Sequence, residues 1–138
     1  MKEKIFDFLD ELNKESRQKL VTVDLKNYTE KIINKSTIIS IQKQNTLIGF
    51  IAYYDNDEKK ETAFLTMIAI DKNYQHFGYG KNLLELSIHN LKKVGFKNYG
   101  LEVLIDNFNA IKLYSSMGFE IKNENEQHYY MELKMNEE

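Results

Sequence analysis

Residues 63–81 read AFLTMIAIDKNYQHFGYGK. The apolar run Ala63 to Ile70 reads as a strand buried on both faces. It passes into a short polar loop that ends in Gln75-His76-Phe77-Gly78-Tyr79-Gly80, and a helical period begins at once with Lys81. A strand, a glycine-containing loop and a helix start together make an anion site. The first helical N–H groups have no intrahelical partner and sit at the positive end of the helix dipole. Glycines permit close backbone approach, so a phosphate or pyrophosphate there needs no side-chain cation. Taken alone, a Gly-x-Gly at such a junction is a weak signal and also reads as a tight connection.

The flanks supply the context. Upstream, Thr37 to Lys43 and Leu47 to Tyr54 read as strands joined by a Gln44-Asn45 turn. The polar turn Asp55-Asn56-Asp57 leads to the third strand, Thr62 to Ile70, and completes an antiparallel meander. Two helices come first. Ile5, Phe8, Leu9 and Leu12 fall at helical spacing. Leu25, Tyr28 and Ile32 share one face of a helix from Leu25 to Asn34 that Asp24 would cap. Downstream, Leu84, Ile88, Leu91 and Val94 form one stripe of a helix from Gly80 to Val94, with Gly95 at its C-cap. Tyr99 to Ile105 is a strand, which makes this strand–helix–strand unit a right-handed parallel crossover. Asp106 to Met117 reads as a helix closed by Gly118, and Phe119 to Lys122 and Tyr129 to Met135 as the last strands. The chain is expected to be one α+β domain over 1–138 with a mixed, mostly antiparallel sheet. In such sheets ligands gather at the C-terminal ends of strands that part from one another.

Composition narrows the function classes. A net charge of −2 argues against a dedicated nucleic-acid binder. No cysteine is present, which excludes disulfides, a thiol nucleophile and thiolate metal sites. His76, His89 and His128 are far apart, so no metal is expected. No apolar run approaches the roughly 20 residues of a membrane span, and the acidic, amphipathic start MKEKIFDFLDELNK lacks a signal-peptide pattern. A cytoplasmic location without membrane contact is the expectation, with a monomeric or homodimeric state.

A second pattern, Asn107-x-x-Ala110-Ile111-x-Leu113-Tyr114-x-x-x-Gly118-Phe119, follows Gln75-x-x-Gly78-x-Gly80 by about thirty residues. Together, in this order and spacing, the two resemble the GNAT superfamily of acyl-CoA-dependent acyltransferases over roughly residues 37 to 135. The resemblance implies a twisted sheet with helices on both faces and splayed central strands. It also implies an enzyme, an N-acetyltransferase that uses acetyl-CoA as acyl donor. The loop Gln75, His76, Phe77, Gly78, Tyr79 and Gly80, with Lys81, would hold the CoA pyrophosphate through backbone N–H groups. Gln75 stands where many members have Arg. Backbone groups at Ile68, Ala69 and Ile70 would pair with the pantetheine arm. Asn107 would contact CoA, Ala110 would lie beside the arm, and the Tyr114 hydroxyl would face the sulfur.

Those assignments make physical sense. An amide-rich arm suits an open strand edge. A backbone N–H near Ile68 would stabilise the oxyanion formed as an amine attacks the thioester. Tyr114 would donate a proton or a hydrogen bond to the leaving thiolate. Other readings stand beside these: core packing for Tyr114, a helix N-cap for Asn107, a solvent-facing loop position for His76. Superfamily members often place a Glu base on a central strand. Here Glu102, flanked by Leu101 and Val103, is the candidate, with a paired or edge-facing carboxylate as its alternative. Glu61 lies too far back, and Thr66, Tyr53 and Tyr54 are candidates for the acceptor pocket. A small-molecule amine, such as a polyamine, amino sugar or amino acid, is the expected acceptor, and a protein N-terminus the alternative. Rival readings are another acyl-CoA or an oxygen acceptor, a non-catalytic CoA-binding module, and a nucleotide-binding domain. The last lacks the GxxxxGK[ST] signature, because Asn82 follows Gly80-Lys81.

Overall fold

The structure is a computed structural model that describes residues 1–15 and 24–135. Two helices, α1 (Lys2–Glu15) and α2 (Leu25–Lys35), precede the strands β1 (Thr37–Lys43), β2 (Thr46–Tyr54) and β3 (Thr62–Ile70). A single 3-10 turn (Lys72–Tyr74) then leads into α3 (Tyr79–Val94). The chain continues through β4 (Asn98–Leu104), α4 (Phe108–Ser116), β5 (Glu120–Glu124) and β6 (His128–Lys134). Local chemistry sets the boundaries. Asp24 caps α2 by accepting from the N–H groups of Lys26 and Asn27. Gln44 and Asn45 both take positive φ, as the two-residue β1–β2 hairpin requires. Gly95 closes α3 at φ +100. The helix expected from Asp106 starts two residues later, because Asn107 stands outside it as the cap.

The six strands form one sheet in the order β1-β2-β3-β4-β6-β5. Neighbours are antiparallel except β3 and β4, which run parallel. The two crossovers, β3–α3–β4 and β4–α4–β5, step across the sheet in the same direction. A crossover of fixed hand therefore puts both helices on one face. The larger core lies there: Leu83, Leu84, Ile88 and Leu91 of α3 meet Ile51, Tyr53, Ala63, Leu65, Tyr99 and Leu101, with Leu113 and Tyr114 of α4 against the same cluster. Inside it the Tyr99 hydroxyl donates to Ser87 Oγ at 2.9 Å, and Ser87 Oγ donates to the Leu84 carbonyl at 2.8 Å. A buried phenol is thereby satisfied.

Helices α1 and α2 cover the other face over β1 to β3, where Ile5, Leu9 and Ile32 meet Leu47, Phe50, Ala52 and Ala69. They leave that face of β4, β6 and β5 uncovered. Gly100 sits there with the Tyr130 ring lying across it. A Cβ at Gly100 would fall 2.9 Å from two ring carbons and closer still to the hydroxyl, so only glycine fits under the ring.

Candidate active site

The parallel strands part within the sheet. Residue pairing between β3 and β4 runs from Thr62↔Asn98 to Leu65↔Leu101 and stops. Beyond that point β3 follows β2 as far as Gly49↔Ile70, and β4 follows β6 as far as Leu104↔His128. A wedge opens between them.

A bulge sets what faces the wedge. On β2, Tyr53 pairs with Leu65 and Ala52 with Met67, so Thr66 is the extra residue. The bulge reverses the alternation of β3. Before it, Ala63 and Leu65 face α3; after it, Ile68 and Ile70 do, while Met67 and Ala69 turn to α1 and α2. The backbone follows the same phase. Asp71 N–H donates to the Ile48 carbonyl at 2.8 Å. Carried back along the antiparallel ladder, this aims the polar groups of Ala69 and Met67 at β2 and those of Ile68 and Ile70 at the wedge. Of the three residues expected along the pantetheine arm, Ile68 and Ile70 thus turn their backbone groups toward the wedge, where Gln75 takes the Ile70 carbonyl, and Ala69 does not.

The loop after β3 forms one rim. Asp71 accepts from Asn73 N–H at 2.8 Å, and Gln75 Nε2 donates to the Ile70 carbonyl at 3.0 Å, tying the loop to the end of the strand. His76 and Gly78 take φ of +71 and +86, a conformation costly for any residue with a Cβ. Helix α3 starts at Tyr79 with no side-chain cap, so the N–H groups of Tyr79, Gly80 and Lys81 are left without a protein partner among the described residues. Gly80 lies against Ile68 and Ile70, where a Cβ would stand about 4 Å from each. The rim carries a cation. Lys43 Nζ is 5.4 Å from the Tyr74 ring centre and 6.0 Å from that of Tyr79, and the two rings are 6.4 Å apart. Phe77 stands out of the loop, 71% exposed.

The start of α4 forms the opposite rim, because parallel strands end at the same sheet edge. Asn107 Oδ1 accepts from Ala110 N–H at 3.4 Å, so Asn107 is the N-cap. Ala110 and Tyr114 are partly buried, and Tyr114 rests on Phe119 with ring centres 5.9 Å apart. Burial pushes the Tyr114 phenol up to about 12. Its hydroxyl hydrogen bonds to nothing among the described residues.

Glu102 is exposed, not interior as its apolar flanks suggest. It belongs to the uncovered face and is the first β4 residue past the last β3–β4 pair. It lines a hollow of about 130 Å³ with Asn123, Glu124, Asn125, His128 and Tyr130. The Tyr130 hydroxyl donates to Glu132 Oε2 at 2.9 Å; burial first, then Glu132 and Glu102, push that phenol up to about 12. Tyr53 is 1% exposed and packs on Tyr99, so it belongs to the core and not to an acceptor wall. Glu61 stands at the far end of β3, paired with Lys97 at 3.3 Å. Sequence reasoning did not bring out Phe108, 75% exposed beside Asn107, or the Tyr28–Thr66 contact described below. Among the described residues no cluster of His, Asp or Glu is arranged to hold a metal ion, and no helix is long and apolar enough to cross a membrane.

Solved N-acetyltransferases share this fold. The PaiA N-acetyltransferase of Thermoplasma acidophilum, solved in complex with coenzyme A, superposes with a TM-score of 0.77 over 96% of this chain and 92% of its own, at 20% identity. The sequence model of the Acetyltransferase (GNAT) family matches residues 3–119, and the chain belongs to that family. Two relatives differ in acceptor. A probable spermine N(1)-acetyltransferase of Bacillus subtilis subsp. natto is 33% identical over 92 residues, 62% of this chain and 60% of the relative. The [ribosomal protein bS18]-alanine N-acetyltransferase of Escherichia coli K12 is 46% identical over 59 residues, 43% of this chain and 40% of the relative. The alignments thus span less than two thirds of either relative.

Proposed function

We propose that the protein transfers an acetyl group from acetyl-CoA to a primary amine of a small cationic acceptor of the polyamine class. The observation that carries this reading is the wedge, with the β3 edge at Ile68 and Ile70 on one side, the uncapped α3 start on one rim and the start of α4 on the other. Backbone N–H groups of Gly78 to Lys81 would hold the pyrophosphate, with Gln75, His76 and Phe77 shaping the loop. Ile68 N–H would receive the carbonyl oxygen as the amine nitrogen attacks and the C–S bond breaks.

The elevated Tyr114 phenol favours one of its two expected roles. A free thiol ionises near 8.5, so full proton transfer from a phenol at about 12 to the thiolate is uphill by about 5 kcal/mol. Tyr114 therefore acts as a hydrogen-bond donor to the departing sulfur and keeps its proton. Helices α3 and α4 flank the wedge on one face, so the amine enters from the other, where Glu102 lies. Glu102 would take the ammonium proton, directly or through water.

Carboxylates support a cationic acceptor on that side. Glu102 and Glu124 line one hollow, and Glu11 and Asp71 line another of about 310 Å³ with Phe8, Leu12, Lys72 and Asn73. The spermine relative points the same way. A second reading, a protein N-terminal alanine, is favoured by the higher local identity to the bS18 enzyme. The test is thiol release from acetyl-CoA with spermine, spermidine, monoamines and an alanine-terminated peptide in parallel. Turnover of the polyamines at least tenfold above the peptide supports the first reading; the reverse order establishes the second.

A further inference from the structure

Strand β3 has a register problem that its own sequence does not solve. From Ala63 to Ile70 every residue but Thr66 is apolar, and both faces are covered by helices. Hydrophobic patterning fixes register where one face is wet and the other dry. With two dry faces it does not say whether a residue bulges. A strand without the bulge would satisfy the pattern nearly as well, yet it would set Ile68 opposite Phe50 and turn the Ile68 amide from the wedge to β2.

Thr66 is the bulged residue and the polar one, and α2 holds it. The Tyr28 hydroxyl donates to the Thr66 carbonyl at 3.2 Å and lies 2.8 Å from Thr66 Oγ1. A phenol has one proton, so with that proton on the carbonyl the Thr66 hydroxyl must donate to the phenol oxygen. The two residues close a reciprocal pair that engages the backbone and the side chain of the bulge together. Burial, ahead of the opposing hydrogen bond from Thr66, pushes the Tyr28 phenol up to about 12, so it remains a donor across the neutral range.

We propose that Tyr28 is a positioning residue for acetyl transfer: through Thr66 it fixes the β3 bulge and so aims Ile68 N–H into the wedge. The inference rests on the acetyl-transfer reading for its kinetic consequence, though not for its structural one. Tyr28 reaches the reaction only through Thr66.

The test compares Tyr28→Phe, Thr66→Val and the double variant, assayed well below their melting temperatures. Each single variant is expected to lose tenfold or more in kcat, with the dissociation constant of CoA within threefold of wild type, because the pyrophosphate loop is untouched. The double variant is expected to lose no more than the worse single one. Rates within twofold of wild type alongside a lowered melting temperature would mean that Tyr28 only packs, and additive losses would mean that the two residues do not act as a pair; either overturns the proposal. Amide spectra supply an arm independent of turnover. In Tyr28→Phe the Met67 and Ile68 amides are expected to shift while those of β1 stay in place. Unmoved Met67 and Ile68 amides overturn the inference. Should the wild-type protein acetylate no amine, the functional reading fails and the spectra still decide this one.

Discussion

Gly78→Ala isolates the proposed anion-binding loop. Gly78 sits at φ +86 with nothing within 4 Å of the position a Cβ would take, so the substitution meets no steric obstacle. Its whole cost is conformational: about 1–2 kcal/mol to hold an L-residue in the left-handed region. The loop has two ways to respond. It keeps its shape, and the cost appears as lost stability, or it relaxes to negative φ, and the N–H groups of Tyr79 to Lys81 swing off the pyrophosphate. In the second case about 1–2 kcal/mol corresponds to a roughly 5- to 30-fold weaker CoA complex. Gly95 provides a matched control at the other end of the same helix. Its φ is +100 and it too has nothing within 4 Å, so Gly95→Ala carries a similar backbone cost far from the wedge. The assay is calorimetric titration of each variant with CoA, beside its thermal melt. Gly78→Ala is expected to weaken CoA, whereas Gly95→Ala lowers the melting temperature by several degrees and binds CoA as wild type does. Equal weakening in both variants, or unchanged CoA affinity in Gly78→Ala with its melting temperature also unchanged, would refute the assignment of the loop.

Four further outcomes follow from the same geometry. Tyr114→Phe removes the proposed hydrogen bond to a developing thiolate, worth about 1.5–3 kcal/mol; kcat is expected to fall roughly 10- to 150-fold with acetyl-CoA affinity little changed, and equal loss in both would make Tyr114 a packing residue. Glu102→Gln is expected to lower kcat by about tenfold or more with CoA affinity unchanged, and an unaltered kcat would remove Glu102 from the chemistry. Gly100→Ala drives a Cβ into the Tyr130 ring, at a cost of about 1–3 kcal/mol; adding Tyr130→Ala is expected to recover part of the loss in a denaturant melt. Burial raises the Tyr99 phenol, while the same phenol in the unfolded chain ionises near pH 10. Its contribution to stability is therefore whole below pH 10 and lost as pH rises beyond it, so unfolding free energies should decline above pH 10 and decline less steeply in Tyr99→Phe.

Features encoded within one short segment were legible in the chain itself. The strand–loop–helix junction, the Asp24 cap and the helical stripe of Leu84, Ile88 and Leu91 rest on neighbours a few residues apart, and each appears as expected. Features that arise between distant segments were not. The bulge at Thr66 is invisible to patterning because both faces of β3 are dry, and the residue that holds it comes from α2, 38 positions earlier. Glu102 reads as interior because Leu101 and Val103 are buried. It is exposed because both crossovers place their helices on the opposite face, a consequence of strand order. Nothing in the sequence marked Gly100, which lies under the Tyr130 ring brought to it by the pairing of β4 with β6. The N-cap reading of Asn107, by contrast, was legible: it stood beside the CoA contact as an alternative, and Asn107 is the cap that starts α4.

The most direct test of the central claim, that the Gln75–Lys81 loop and the wedge behind it form an acetyl-CoA site, is a thermal melt with acetyl-CoA, CoA, ATP and NAD in parallel. A ligand at about 100 times its dissociation constant adds roughly 2.7 kcal/mol to the native state, several degrees on a domain of this size. The account predicts that shift with acetyl-CoA and CoA and none with ATP or NAD. A melt unmoved by CoA, or moved by ATP or NAD alone, would contradict it.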